Sequence, residues 1–371
     1  MLIQNAKAFI NGKFQEKTDL LIRDGRISAI GTGLAAEGEE LLDLGGDLLL
    51  PGFVDVHIHA FKGMDTMQGE EAVRHMSREL KKVGVAAFLP TTMSASPEDT
   101  VKALAGVKAV MERPEPDGAI VLGAHMEAPF LAEAKAGAQL KQYFVDPDEE
   151  NWQRYTGGLE SVVRLITMAP ERAGAMEFIS ALTKKGITVS IGHTTADAET
   201  THAAAEAGAT HVTHTFNAQT PLNHRAPGVP GAALVDDRLQ CEVISDGIHL
   251  HPDIVKLIIR TKGKEKLVAI TDAMEAAGMP DGQYQLGGQE VFVHEGAARL
   301  KDGTLAGSTL TMIRAFQNLI RFGATPEEAA LMTTKTPALS IGNEELGEIE
   351  LGAPAIFSRF DEKYAFKGTV G

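Results

Sequence analysis

The sequence holds a single cysteine, Cys241, which excludes an internal disulfide and fits a reducing compartment. No stretch approaches the ~20 consecutive apolar residues that a membrane helix needs. Residues 1–7 form no apolar run of signal-peptide length, so the expectation is a cytoplasmic protein. Basic charge is scarce. The formal net charge of -15 argues against nucleic acid or an anionic membrane as partner, although a few local donors can still receive an anionic small molecule. There is no Gly-x-Ser-x-Gly nucleophile elbow, no Walker phosphate loop and no cysteine cluster for structural zinc. Internal repeats and low-complexity segments are also missing. What remains is an ordinary globular composition, 44% hydrophobic and 23% charged over 371 residues, a length that suggests about two domains.

The two ends read as β structure. Leu2–Ile10 runs into Asn11-Gly12, and Leu20–Ile22 and Arg26–Ile30 flank Asp24-Gly25; both dipeptides are strong hairpin signals. Leu41–Leu50 follows, with Gly45-Gly46 inside it. Near the other end Ile349–Leu351, Ala355–Phe360 and Tyr364–Phe366 are again strand-like. Neither set is long enough to bury a core alone. The expectation is a small β-sandwich domain built from residues 1–50 and 346–371, interrupted by everything between.

Residues 51–345 alternate strand-like and helical runs. The strand-like runs are 53–59, 85–92, 119–127, 162–168, 187–193, 211–216, 241–246 and 267–272. Between them lie helices with proper starts: Ser96-Pro97-Glu98 before Val101–Met111, Pro252 before Asp253–Arg260, and the capping box Thr325-Pro326-Glu327-Glu328. Such alternation implies parallel strands with right-handed crossovers, and this number of them suggests an α/β fold of the closed (β/α)8 TIM-barrel type. An open doubly wound sheet is the alternative. After the eighth strand, 283–304 reads as an antiparallel excursion over the barrel mouth, and Thr309–Phe322 resumes as helix.

In Phe53-Val-Asp-Val-His-Ile-His59 the side chains alternate, so His57 and His59 project from one face of the first strand. Catalytic residues of such barrels gather at the C-terminal ends of the strands. Here the third strand ends in Glu127, the fifth in His193, the sixth in His214 and the eighth in Asp272, while the seventh leads through Asp246 to His249. Any one of these could be a hydrogen-bonded surface residue or a turn cap. Collected at one rim, four imidazoles and two carboxylates can hold one or two divalent cations, with Glu127 able to bridge them. A cation lowers the pKa of its bound water to about 7, giving hydroxide at neutral pH. Asp272 is the candidate to take that proton and pass it to a leaving nitrogen.

These motifs resemble the amidohydrolase superfamily and, within it, the family of N-acetylglucosamine-6-phosphate deacetylases. The resemblance rests on Pro-Gly-Phe-Val-Asp-Val-His-Ile-His (51–59), His-Met-Glu-Ala-Pro-Phe (125–130), Gly-His-Thr-Thr-Ala-Asp (192–197) and His-Thr-Phe-Asn-Ala (214–218). It continues through His-Arg-Ala-Pro-Gly (224–228), Asp-Gly-Ile-His (246–249), Thr-Asp-Ala-Met (271–274) and Leu-Ala-Gly-Ser-Thr-Leu-Thr-Met (305–312). It implies metal ligation by Glu127, His193 and His214, with Asp272 as catalytic base and acid. It also implies sugar contacts from Asn217, Ala218, His249 and the Leu305-Ala306-Gly307 segment. Arg225 matches a residue that grips the sugar phosphate across a homodimer interface, a task suited to a planar guanidinium.

This chain departs from the family pattern in places. It keeps both His57 and His59, which points to a second metal position. Met126 and Ala128 flank Glu127 where Leu and Gly are usual, and Gly137-Ala138-Gln139 stands where Gly-x-His contacts substrate. The implied reaction is hydrolysis of the N-acetyl group of N-acetylglucosamine 6-phosphate to glucosamine 6-phosphate and acetate, as in amino-sugar catabolism or recycling. The ion would be zinc, iron or manganese. The alternatives are N-acetylgalactosamine 6-phosphate or an N-acyl amino acid as substrate, or a metal-binding barrel without catalysis.

Overall fold

The computed structural model describes residues 1–35 and 38–371. Strands Leu2–Ile10, Lys13–Arg23, Arg26–Gly31, Leu41–Asp43 and Leu48–Pro51 join Phe357–Phe360 and Phe366–Val370 in one seven-stranded sheet. The two ends of the chain meet where Phe357–Phe360 pairs antiparallel with Leu48–Pro51, Ser358 opposite Leu50. Asn11-Gly12 and Asp24-Gly25 have positive φ at both residues, between 50° and 75°, as the tight hairpin turn requires. The period of two then divides the core: Leu48 and Leu50 pack on the barrel side with Phe53, while Leu49 packs with Ile3, Ala8 and Ile349 on the other. Residues 349–351 do not form the expected strand. Ile349 is buried and Leu351 exposed, as alternation predicts, but next to them Arg26 meets Pro354 in an isolated bridge, and proline has no N–H to extend a ladder.

Parallel strands Phe53–Ile58, Val85–Thr92, Ala124–Met126, Val163–Met168, Thr188–Ile191, His211–Val212, Gln240–Ile244 and Leu267–Ile270 follow one another around the barrel. A parallel bridge from Ile58 to Ala273 joins its last segment to its first. The first strand is buried along its whole length, and full burial of Phe53, Val54, Val56 and Ile58 contributes about 1.5–3 kcal/mol each. Most of these strands are shorter than the sequence suggested, two of them by the most residues. The run 119–127 is broken at Gly123 (φ 145°), where a side chain would meet Arg164 Cγ at 2.3 Å and Val162 O at 2.7 Å. The run 211–216 ends at Val212 because the chain turns at once into left-handed backbone at His214.

The three capped starts are those expected, whereas the helix read from Thr309 begins at Met312 behind the cap Thr311. Ser96 accepts from Asp99 N–H ahead of Pro97–Glu112, His251 accepts from Asp253 N–H ahead of Pro252–Lys266, and Thr325 forms a capping box with Glu328 ahead of Pro326–Thr333. The excursion is a three-stranded antiparallel sheet, Gly282–Leu286, Gln289–His294 and Ala297–Leu300. It packs through Leu286, Val291 and Ala298 on Met93 and Met274 beside the barrel mouth. No helix among the described residues is long and apolar enough to cross a membrane.

Candidate active site

The C-terminal strand ends enclose a cavity of about 300 Å³ whose lining includes His59, Glu127, His193, His214 and Asp272. Glu127 is its centre. Its Oε1 lies 3.0 Å from His214 Nε2, 3.2 Å from His193 Nε2 and 3.4 Å from His57 Nε2. Its Oε2 lies 3.2 Å from His59 Nε2, which is also 3.2 Å from Asp272 Oδ1. His193 and His214, like Asp272, have φ of 46°, 27° and 50°. Left-handed backbone at non-glycine residues costs about 1–3 kcal/mol each and is held by its surroundings. Here that hold includes Ala132 N–H on His193 O, Asn217 N–H on His214 O and Ser308 N–H on Asp272 O.

The outer ring nitrogens identify the tautomers. His57 Nδ1 faces Glu242 Oε2 at 3.0 Å, His193 Nδ1 faces Lys135 O at 2.8 Å, and His59 Nδ1 faces Thr91 O at 3.3 Å. All three partners are acceptors, so each Nδ1 carries the hydrogen and the neutral ring turns a lone pair from Nε2 into the site. The Nε2 atoms of His193 and His214 are only 3.1 Å apart, and those of His57 and His59 3.3 Å. Two lone pairs at such distances need a positive centre between or beside them. The donors form two overlapping groups, His57–His59–Glu127 and Glu127–His193–His214, and this set of imidazoles around one carboxylate fits a divalent cation.

The electrostatics agree. Burial pulls the pKa of His57 and His59 down, but Glu127 and Asp272 outweigh it, pushing His57 well up and His59 to about 9. Without a cation, protons on this pair supply the missing positive charge. Burial would raise Glu127 and Asp272, yet the neighbouring imidazoles hold both below the usual carboxylate range.

Three carboxylates behind the site, of which only Asp246 is noted at the rim, are given no partner from the sequence. Glu242, fully buried, accepts from His57 Nδ1, from His214 N–H at 3.2 Å and from His211 Nδ1 at 3.4 Å. Asp55, on the same strand face as His57 and His59, accepts from Thr271 Oγ1 at 2.5 Å and ties the first strand to the eighth. Asp246 accepts from His249 Nδ1 at 2.7 Å and fixes that ring. All three are charges inside apolar strands or tight turns, and a buried charge requires a partner. His125 supports the site from below, its Nε2 2.8 Å from Thr167 Oγ1 and its ring edge-on to His57.

A model of the amidohydrolase family matches residues 48–368. The chain belongs to the amidohydrolase family. An N-acetylglucosamine-6-phosphate deacetylase of Lysinibacillus sphaericus is 37% identical, covering 100% of this chain and 96% of its own. An N-acetylgalactosamine-6-phosphate deacetylase of Escherichia coli O157:H7 is 36% identical over 91% of this chain and 88% of its own. Among solved structures, a mutant N-acetyl-D-glucosamine-6-phosphate deacetylase of Mycobacterium smegmatis in complex with N-acetyl-D-glucosamine-6-phosphate superposes with a TM-score of 0.92 at 31% identity, covering 100% of this chain and 97% of that one.

Of the residues singled out for substrate in this amidohydrolase, Ala138, Gln139, Asn217, Ala218, His249, Leu305 and Gly307 line the cavity. Ala306 does not; it is buried in the apolar cluster with Met93 and Met274. Arg225 lies on an exposed loop and is not among the cavity-lining residues of its own chain. Met93, Ala134, Lys135, Gly137, Leu286 and Thr304 complete the walls; Leu286 and Thr304 come from the excursion expected over the barrel mouth, Leu286 at the end of its first strand.

Proposed function

We propose that this amidohydrolase hydrolyses the N-acetyl group of N-acetylglucosamine 6-phosphate, giving glucosamine 6-phosphate and acetate. The observation that carries the reading is the convergence of Asp272 with His59, Glu127, His193 and His214 at the floor of a cavity of about 300 Å³, with His57 buried just beneath, a volume suited to a monosaccharide. Glu127, His193 and His214 would hold the first divalent cation, and His57 and His59 with Glu127 the second; zinc, iron and manganese all suit these donors. A bound cation would supply Lewis-acid polarisation of the acetyl carbonyl and acidify water.

The chain's own residues do the rest. Asp272, held ionised by the imidazoles beside it, takes a proton as water adds to the acetyl carbonyl carbon. The resulting carboxylic acid then protonates the amide nitrogen as the C–N bond breaks, so that Asp272 returns to the carboxylate and the amine leaves with acetic acid, whose remaining proton passes to water or the amine to give acetate. His249, its ring fixed by Asp246, bonds the acetyl oxygen. Asn217, Ala218, Leu305 and Gly307 orient the sugar. Arg225, exposed and outside its own cavity, reaches the phosphate in the neighbouring subunit of a homodimer. Residues 1–50 and 346–371 act as a separate small domain beside a 51–345 catalytic barrel in a cytoplasmic enzyme.

The epimeric N-acetylgalactosamine 6-phosphate is the second reading, since a relative so named is about as similar as those named for the glucosamine substrate. Acetate and free amine are measured from both epimers and from unphosphorylated N-acetylglucosamine. The expected ranking is the gluco phosphate first, the galacto phosphate second and the unphosphorylated sugar far behind. Absence of acetate from all three ends the enzymatic reading.

A further inference from the structure

The resemblance places a substrate contact at residue 139, but Gln139 has its hydrogen-bonding groups engaged within the protein. Its Oε1 accepts from Ser94 N–H at 2.7 Å. That contact fixes the amide orientation, because a backbone N–H can face only the oxygen. Nε2 is thereby turned to Glu127 Oε2 at 2.5 Å, and it also lies 3.5 Å from Met93 Sδ. The loop that carries Gln139 is fastened on both sides. Leu140 N–H donates to Ser94 Oγ at 2.5 Å, and Gln289 of the excursion donates to Ala138 O at 2.6 Å. Gln139 itself is 5% exposed.

Glu127 thus meets different partners at its two oxygens. Oε1 faces His193, His214 and His57, whereas Oε2 faces His59 and the Gln139 amide. A carboxylate shared between two metal positions must be held in one rotation about its last bond. None of the imidazoles can do that when their lone pairs are turned to a cation, because they then have no hydrogen to give it. Gln139 still has one.

We propose that Gln139 is a positioning residue for the metal centre: its amide, locked by Ser94 N–H, holds the Glu127 carboxylate in the orientation that presents both oxygens to cations. The inference rests on the metal reading given above and gives residue 139 of this chain a task other than the substrate contact that the resemblance implies there.

The test is metal binding without substrate. Wild type, Gln139→Met, which keeps length and shape but has no N–H, and Gln139→Ala are stripped with chelator. Each is checked for retained fold by circular dichroism and titrated calorimetrically with Zn2+ and with Mn2+. Loss of a partner that orients a ligand lowers metal affinity by about 10–100-fold. Both variants should therefore lose at least about tenfold for the first equivalent, whereas a substrate contact would change KM and leave this titration unmoved. A smaller loss in the folded Met variant, or a gain, overturns the proposal. If wild type itself takes up neither ion, the metal reading fails instead, and the two failures are distinguishable.

Discussion

Replacing Glu242 by glutamine probes how far the site is built from behind. The change keeps volume but gives one end of the side chain hydrogens where the wild type has only acceptors. Glu242 Oε2 faces His57 Nδ1 at 3.0 Å and His214 N–H at 3.2 Å, and Oε1 faces His211 Nδ1 at 3.4 Å. Turned toward His57, its NH2 opposes the ring N–H; turned toward His211, it is accepted only if that ring moves its hydrogen to Nε2, facing Ser340 O at 3.2 Å. The lost bonds are to a charged acceptor, each worth about 1.5–3 kcal/mol, so Glu242→Gln should destabilise the metal-free protein by about 3 kcal/mol. If the NH2 lies toward His57, that ring must shift its hydrogen from Nδ1 to Nε2 and lose the lone pair it offers a cation. Affinity at the His57–His59 position should then fall about 10–100-fold. Denaturant unfolding of metal-free protein measures the first quantity and calorimetric titration the second. Unfolding within about 0.5 kcal/mol of wild type, with the second equivalent bound as tightly as before, would refute the claim that Glu242 orients His57.

Asp272→Asn should lower kcat by about 10²–10⁴-fold while metal content stays at the wild-type level; near-normal turnover with full metal removes Asp272 from proton transfer. Because the metal-free pKa of His59 is pushed to about 9 by Asp272 and Glu127 against the pull of burial, a cation entering there at pH 7 must displace its proton. Binding should release at least one proton, and the affinity should rise about tenfold per pH unit up to about pH 9; heats that do not vary with the buffer's ionisation enthalpy contradict this. Gly192→Ala places a methyl 2.6 Å from Thr213 Cβ and 2.8 Å from Thr167 Cγ2 in a rigid part of the barrel, next to His193. It should cost about 1–3 kcal/mol by overpacking and weaken the first metal position, whereas a variant as stable as wild type would show that the barrel gives way there.

The chain revealed its barrel because strand–helix alternation and helix caps are local signals. The cluster of His57, His59, Glu127, His193, His214 and Asp272 was legible because all six fall at strand ends. Other features depended on contacts far apart in sequence. The third strand breaks at Gly123 against Arg164, and the sixth gives way at once to left-handed backbone; neither follows from propensity. Glu242 and Asp55 were readable in principle, since each is a charge on the inward face of an apolar barrel strand and so needs a buried partner. Gln139 was not, because Ser94 and Glu127, which fix its amide, come from separate loops.

On the proposed function, acetate release depends on a cation held by Glu127, His193 and His214. Acetate release from N-acetylglucosamine 6-phosphate is therefore followed as divalent ion is returned, in steps, to chelator-stripped enzyme. Activity should be negligible in the stripped protein and rise with the ion restored, and a Glu127→Ala variant should stay silent across the whole titration. Full acetate release from stripped enzyme, or restoration in Glu127→Ala equal to that of wild type, would contradict it.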